Sequence, residues 1–532
     1  MNPADRSHRR TIHGLLKEKI AERGNREFLV FQDQSFGYQD LDNWSDKTAA
    51  GFQRLGLKKG DKVAIMMTNR PEFLFTWFGL CKLGAIEVPL NVAHRGQILT
   101  YMLEQSDCRI AVVEAPFLPQ LAEIASGLKK LEKVIVLDDP TPGASGLNLP
   151  FSTFHELIDN DGSFQAEDVI WRDPFCISFT SGTTGPSKGA LMPHNYAVFM
   201  ADLVQRFVEY SEQDCLYNAL PLFHGNAQLL STMPALLSGA RMVLAPRFSA
   251  GQFWDEVKQY HCTAFNYIGI IPPILLMAEP RPDDADTPLR VMVGGGCPPE
   301  LFDVMEQRFG LKMIEGYGLS ELGLPIANSV HHRKKGTIGR VIEGYRVKLV
   351  DDSGVEVESG EPGEILVRVD EPFAMMLEYY KMPAETVKTW QDLWFHTGDL
   401  AVEDKDGYFV FVDRKKDALR RRGENISSHE VEKIITAHPG VMQCAAVAAK
   451  SDMAEDEVMV CVVKTPGADL TPEGLLDYCQ DQMAYFMVPR YVRFMEQLPQ
   501  TPTLRIKKAE LRQQGITSDT WDREAAGYRL RK

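Results

Sequence analysis

The sequence predicts an α/β protein in two parts. Residues 1–413 form a large N-terminal domain of parallel-rich sheets with helices, carrying a small β-barrel at about 330–400, and residues 414–532 form a small α+β C-terminal domain. Four observations lead there. A chain of 532 residues exceeds what one hydrophobic core holds, so it divides. Up to about residue 320, short apolar runs alternate with helix-period stretches, the arrangement that builds parallel sheet with crossover helices. After that the period drops to two. Then, at Asp413-Arg414-Lys415-Lys416-Asp417, the composition turns densely charged, with enough chain left for one small domain.

The elements follow in order. Ile12, Leu15, Leu16 and Ile20 keep a helical spacing, and Phe28-Leu29-Val30-Phe31 reads as a short strand. Val63-Ala64-Ile65-Met66-Met67 is a second strand, residues 73–83 a buried helix ending at Gly84, and Val88-Pro89-Leu90 the next extended run. Residues 110–113 and 134–137 repeat the pattern before a Pro, Gly and Asp-rich loop at 138–150. Residues 175–179 are a strand, and a helix is expected from near His194-Asn195. Residues 242–244, 264–267 and 291–293 continue the strand series, and 313–318 repeat the passage from strand to loop. From 339 to 369 the alternation of Val347 with Leu349 and Ile365 with Val367, punctuated by turns at 351–354 and 360–363, indicates the barrel.

Composition narrows the function. Hydrophobic content of 44% and charged content of 25% are those of a soluble globular protein. A net charge of −15 argues against nucleic acid and anionic membrane surfaces as partners, while leaving room for a local anion site. Nine scattered cysteines without a CxxC pair, an N-terminus without an apolar core, and the Lys82 and Glu87 that interrupt the most apolar stretch fit reduced thiols, no signal peptide and no transmembrane segment. The expected location is cytoplasmic, and a homodimer is compatible with all of this.

One stretch carries the most chemistry: Thr180-Ser181-Gly182-Thr183-Thr184-Gly185-Pro186-Ser187-Lys188-Gly189. Its glycines let the backbone close on a ligand, its hydroxyls and N–H groups line a concavity, and Lys188 adds positive charge, which together suit a polyphosphate. The spacing is not that of a Gly-x4-Gly-Lys-Ser/Thr loop, and a surface turn has the same composition, so companions are needed. They follow in order: Pro221-Leu222-Phe223-His224, Gly294-Gly295-Gly296-Cys297-Pro298, Glu315-Gly316-Tyr317-Gly318-Leu319-Ser320-Glu321, His396-Thr397-Gly398-Asp399, Asp413-Arg414, and Arg420-Arg421-Arg422-Gly423-Glu424-Asn425.

This ordered set resembles the adenylate-forming (AMP-binding) superfamily, specifically its acyl-CoA ligases. The Phe-Val-Asp-Arg and Gly-Glu-Asn runs look most like the carnitine/crotonobetaine-CoA ligase branch. The resemblance implies that Thr180, Ser181, Gly182, Thr183, Thr184, Gly185 and Lys188 hold the ATP phosphates, with Thr184 and Lys188 catalytic. Gly295, Gly296, Glu315, Gly316 and Tyr317 would bind the adenine side, the tyrosine by stacking, and Ser320 the α-phosphate in place of the usual threonine. Glu321 would bind Mg²⁺, for which one carboxylate plus phosphate oxygens suffices. Asp399 would accept from both ribose hydroxyls, with Arg414 as the second ribose contact and Arg420 beside the nucleotide. Lys416 would be the hinge about which the small domain moves, and Arg422 and Gly423 would face CoA. His224, Asn226, Gln228, Tyr267, Gly296 and Cys297 would line the acyl pocket, His224 positioning the carboxylate and Cys297 serving as wall.

The chain departs from the family in its last motif. Residues 498–508 resemble a segment usually read Pro-x-Thr-x-Gly-Lys, but Leu504 replaces the glycine and Arg505 the catalytic lysine. Guanidinium keeps the charge in a larger, planar group, and Lys507 is a second candidate for the role. The implied function is an ATP-dependent carboxylate–CoA ligase using ATP, Mg²⁺ and CoA on a small-molecule carboxylic acid. Two alternatives stand beside it: transfer of the acyl group to a carrier protein or amine, and an adenylation-impaired nucleotide-binding relative.

Overall fold

The computed structural model describes residues 10–140, 146–180, 186–414, 418–422, 424–450, 455–499 and 506–531. They fall into two compact units. The first comprises residues up to 92, 103–178 and 189–413; the second comprises 93–102, 179–188 and 414 onward.

Two large sheets dominate the first unit. One has eight strands in the order Glu378–Tyr379, Lys188–Pro193, Pro174–Thr180, Ile86–Pro89, Lys62–Met66, Cys108–Glu114, Lys133–Leu137 and Phe151–Thr153. From Pro174–Thr180 to Phe151–Thr153 every pairing is parallel, while Glu378–Tyr379 is antiparallel to its neighbour. The other sheet has nine strands. Glu27–Phe31, Arg241–Leu244, Cys215–Asn218, Ala264–Ile268, Val291–Gly295 and Lys312–Leu319 run parallel through its middle. Gln34–Gly37 closes one edge, and Gly323–Ala327 with Arg340–Val341 the other, all antiparallel. Val63, Ile65, Val112, Ile135, Met292 and Ile314 are buried, as befits strands covered on both faces.

The helix Pro71–Leu83 begins with Pro at its first position and stops at Gly84, whose φ of 63 is the left-handed cap that ends a helix. It is apolar nearly all round and buried nearly all round, with Trp77 and Phe78 fully enclosed. Its one buried cation, Lys82, is not stranded: Nζ lies 2.6 Å from both Asp42 Oδ1 and Asp46 Oδ1. The helix expected near residue 194 is His194–Val208, and the buried His194 Nδ1 accepts from Ile12 N–H at 3.3 Å.

The region read as a small barrel is a five-stranded antiparallel sheet. It runs Tyr345–Val350, Pro362–Val369, Trp394–Glu403, Trp390–Gln391, with Phe409–Arg414 also pairing Trp394–Glu403.

The second unit holds a four-stranded sheet, Val441–Lys450, Asp456–Lys464, Tyr491–Phe494 and Trp521–Asp522, with helices Ser428–Thr436, Pro472–Gln482 and Lys508–Gln514. Its core gathers Ala445, Val447, Met459, Cys461 and Tyr491. A hairpin joins Ala418–Arg421 to Glu424–Ser427. All nine cysteines are buried thiols, and among the described residues no helix is long and apolar enough to cross a membrane.

Candidate active site

Three parallel strands of the nine-stranded sheet, Ala264–Ile268, Val291–Gly295 and Lys312–Leu319, end side by side. The crevice beyond such carboxyl ends is where open α/β sheets bind ligands. Register sets Tyr267 beside Gly294 and Gly294 beside Glu315, and a Cβ on Gly294 would overlap the Tyr267 carbonyl oxygen. Gly296 then turns the chain with φ 81 and delivers Cys297 N–H to Glu315 Oε1 at 2.9 Å. Burial pushes the Glu315 carboxyl up to about 7, against the pull of the Cys297 and Gly296 N–H groups. Burial, with the nearby Glu315 charge, pushes the Cys297 thiol up to about 12. So protonated a thiol is a poor nucleophile, which suits a pocket wall.

The strand carrying Glu315 continues to Tyr317, whose hydroxyl donates to Asp399 Oδ2 at 2.7 Å across 82 residues of chain. Both residues are buried. The strand then turns back through Ser320 and Glu321 into Gly323–Ala327. That turn is tethered on several sides. Tyr196 hydroxyl donates to Ser320 O at 2.8 Å, Tyr345 hydroxyl to Leu322 O at 2.7 Å, and Met376 N–H to Glu321 O at 2.9 Å. The Glu321 side chain is fixed by Tyr379, whose hydroxyl donates to Oε1 at 2.8 Å. Burial and the Glu321 charge hold the Tyr379 hydroxyl well above its usual range, so it stays a donor. Tyr379 in turn pairs in register with Ala190, and Tyr380 N–H donates to Gly189 O at 2.7 Å.

Residues 16–380 match the AMP-binding enzyme family model, and residues 430–504 match the AMP-binding enzyme C-terminal domain. The chain belongs to the AMP-binding enzyme family. It is 31% identical over 501 residues to the crotonobetaine/carnitine–CoA ligase of Salmonella paratyphi A, covering 92% of this chain and 96% of the relative. A structure of anthranilate CoA ligase with anthranoyl-AMP superposes with a TM-score of 0.72 at 26% identity, covering 95% of this chain and 97% of that one. Two more share the fold at 22% identity and a TM-score of 0.81: o-succinylbenzoate CoA synthetase from Bacillus subtilis, covering 96% of this chain and 99% of that one, and an amide bond synthetase from Marinactinospora thermotolerans, covering 94% and 99%.

In this AMP-binding enzyme the first unit thus brings together Gly295, Gly296, Cys297, Glu315, Gly316, Tyr317, Ser320, Glu321 and Asp399. Of the phosphate loop, Ser181, Gly182, Thr183, Thr184 and Gly185 lie outside the described residues, as do Lys416, Gly423 and Arg505. The two ends of the loop meet, Thr180 Oγ1 donating to the Lys188 carbonyl at 3.4 Å. His224 is half-buried with its ring centroid 4.8 Å from that of Phe223, and residues Asn226–Thr232 after it form a π-helix, a form that favours functional sites. Gln228 is buried there, its amide donating to Leu222 O at 2.9 Å.

Tyr267 departs from the expectation of an acyl-pocket residue. It has no exposed surface and packs under Gly294, because side chains alternate along a strand. Its neighbour Asn266 faces the π-helix instead, donating to Ser231 Oγ at 3.0 Å and Asn226 Oδ1 at 3.4 Å. That residue was findable by period two; Tyr379 was not, since nothing local ties it to Glu321. In the second unit, Arg414 ends the strand Phe409–Arg414 and Arg420 lies in Ala418–Arg421. The arginines at 420–422 are not one basic face. Arg421 turns inward, donating to Phe486 O and Val488 O at 3.0 Å and lying 2.6 Å from Glu457 Oε2, while Arg422 is exposed at the hairpin tip with φ 54.

Among the described residues no group of three or more His, Cys, Asp or Glu gathers to hold a metal. The buried carboxylate at the Glu321 turn, held by the Tyr379 hydroxyl, fits magnesium, which takes one or two carboxylates and completes its shell with phosphate oxygens and water.

Proposed function

We propose that this enzyme converts a carboxylic acid to its acyl-AMP with release of pyrophosphate, then transfers the acyl group to CoA. A carboxylate oxygen attacks the α-phosphorus of ATP as the bond to the bridging α,β-oxygen breaks and pyrophosphate leaves. The CoA sulfur then attacks the acyl carbon, its proton is lost, and AMP departs. The observation that carries this reading is a single strand and turn with Tyr317 bonded to Asp399 at one end and Glu321 held by Tyr379 at the other. Those are the groups needed at the adenosine and phosphate ends of one nucleotide. Asp399 accepts from the ribose diol. Glu321 would hold Mg²⁺, which supplies charge neutralisation on the phosphates. By the family resemblance, the loop 180–189 would take the phosphates, and Lys188 and Arg505 would supply charge against that developing at phosphorus. By the same resemblance, Lys416 would be the hinge between half-reactions, Arg414 and Arg420 would serve the nucleotide, and Arg422 and Gly423 would serve CoA.

The acid we favour is small and carries a polar or charged group. Support comes from the amide and hydroxyl cluster of Asn226, Asn266 and Ser231 on the π-helix side, and from the crotonobetaine/carnitine–CoA ligase relatives. A pyrophosphate-release screen over short-chain, branched, aromatic and betaine-type acids, each with CoA, an amine or no acceptor, tests this. The expected result is acid-dependent pyrophosphate release, with AMP and thioester formed when CoA is added. Glu321→Gln should lower the first half-reaction at least about a hundredfold, the scale for losing a site that stabilises transition-state charge. ATP binding without acid-dependent pyrophosphate would establish the adenylation-impaired alternative, and transfer to the amine in preference to CoA the other.

A further inference from the structure

Asp399 is presented by an irregularity in the antiparallel sheet. Strand Pro362–Val369 pairs with Trp394–Glu403 at Glu364↔Leu400 and resumes at Leu366↔His396. Ile365 therefore faces three residues, Thr397, Gly398 and Asp399. Bulges of this kind re-aim a side chain, and the residues they push out of the ladder need other partners. Here those partners are specific. Thr397 Oγ1 donates to Ile365 O at 2.8 Å and accepts from Asp399 N–H at 3.1 Å. Gly398, at φ 74, donates its N–H to Glu364 Oε1 at 3.1 Å.

Glu364 fills the bulge from inside the sheet. It is buried, and the same Oε1 lies 3.5 Å from His396 Nδ1. A buried carboxylate persists where its charge is met by donors, and these donors belong to the turn that ends in Asp399. From the other side Tyr317 fixes the Asp399 carboxylate. Glu364 and Tyr317 thus set, respectively, the backbone and the head group of one acceptor.

The geometry points to Glu364 as a positioning residue for nucleotide ribose: by bracing the Thr397-Gly398 bulge it aims Asp399 at the two ribose hydroxyls. This rests on the reading of Asp399 as the ribose acceptor. The test is equilibrium binding of ATP and of 2′,3′-dideoxy-ATP to the full chain, taking the ratio of the two dissociation constants. The wild type should prefer ATP at least about tenfold, and Asp399→Ala should bring the ratio near one, as expected for hydrogen bonds to a charged acceptor. Glu364→Ala should weaken ATP about tenfold, leave dideoxy-ATP nearly unchanged, and collapse the ratio likewise. Glu364→Gln, which keeps an acceptor for Gly398 N–H, should restore most of it. If Glu364→Ala does not fold, Thr397→Val probes the same turn and should show the same collapse. A ratio abolished by Asp399→Ala but untouched by Glu364→Ala or Thr397→Val overturns the inference alone. A wild-type ratio near one, or one that Asp399→Ala leaves intact, overturns the ribose reading and the inference with it.

Discussion

Glu315 offers the sharpest physical test of the site. Its carboxyl is buried and accepts from Cys297 N–H at 2.9 Å, and burial lifts it from 4.5 to about 7. Each pKa unit is worth about 1.4 kcal/mol, so the difference between folded and unfolded chain amounts to about 3 kcal/mol. The folded carboxyl is raised, so its contribution is fully present below the unfolded value near 4.5 and is lost as pH rises through about 7. Glu315→Gln keeps an oxygen for Cys297 N–H and removes the ionisation. Its stability relative to wild type should therefore rise by about 2.5 kcal/mol between pH 5 and pH 8.5, part of the effect having already set in at pH 5. Urea unfolding followed by tryptophan fluorescence, read as variant minus wild type so that shared baselines of a two-unit protein cancel, measures it. A difference that stays flat across that range would show that the carboxyl is solvated and that the loop at 294–297 does not close over it.

Three further outcomes follow from single residues. His194 is buried beside His13, and burial holds its imidazole well below the usual value, so stability should be full above about pH 6.5 and fall on acidification; thermal midpoints at pH 7.5 and 5 should diverge in the wild type and less so in His194→Gln. Gly398→Ala meets no atom within 4 Å but keeps φ 74, so it should cost about 1–2 kcal/mol from backbone strain alone, measured by denaturant midpoint. Arg421→Ala leaves Glu457 buried without its closest cation and should destabilise the second unit by about 3–5 kcal/mol, whereas exposed Arg422→Ala should leave its melting unchanged.

What could be read in advance divides by range. The helix at 73–83 and its stop at Gly84 were legible because periodicity and a left-handed cap are local; only its start moved, to Pro71, since proline is preset for a first turn. The strand series and the Gly294 and Glu315–Glu321 motifs were legible for the same reason. The Tyr317–Asp399 bond, the Tyr379–Glu321 bond and the Glu364 brace depend on which strands adjoin, and tertiary register leaves no trace in a short window. Tyr267 shows the converse. A motif position named the right strand but not its face, and one residue along a strand inverts the direction of the side chain. The arginine run adds a further case: three arginines in a row look alike as letters, yet strand alternation turns the middle one into the core.

The two-residue strand Glu378–Tyr379 has a mechanical meaning beyond its size. Its backbone belongs to the eight-stranded sheet, while its hydroxyl grips an acid on the rim of the nine-stranded one. It works as a cable stay between two decks, so any rocking of one deck against the other is felt directly at Glu321. The π-helix wall is stayed as well: Asn69, in the turn after strand Lys62–Met66, donates to Leu220 O at 2.9 Å and accepts from Leu222 N–H at 2.8 Å, just ahead of that helix.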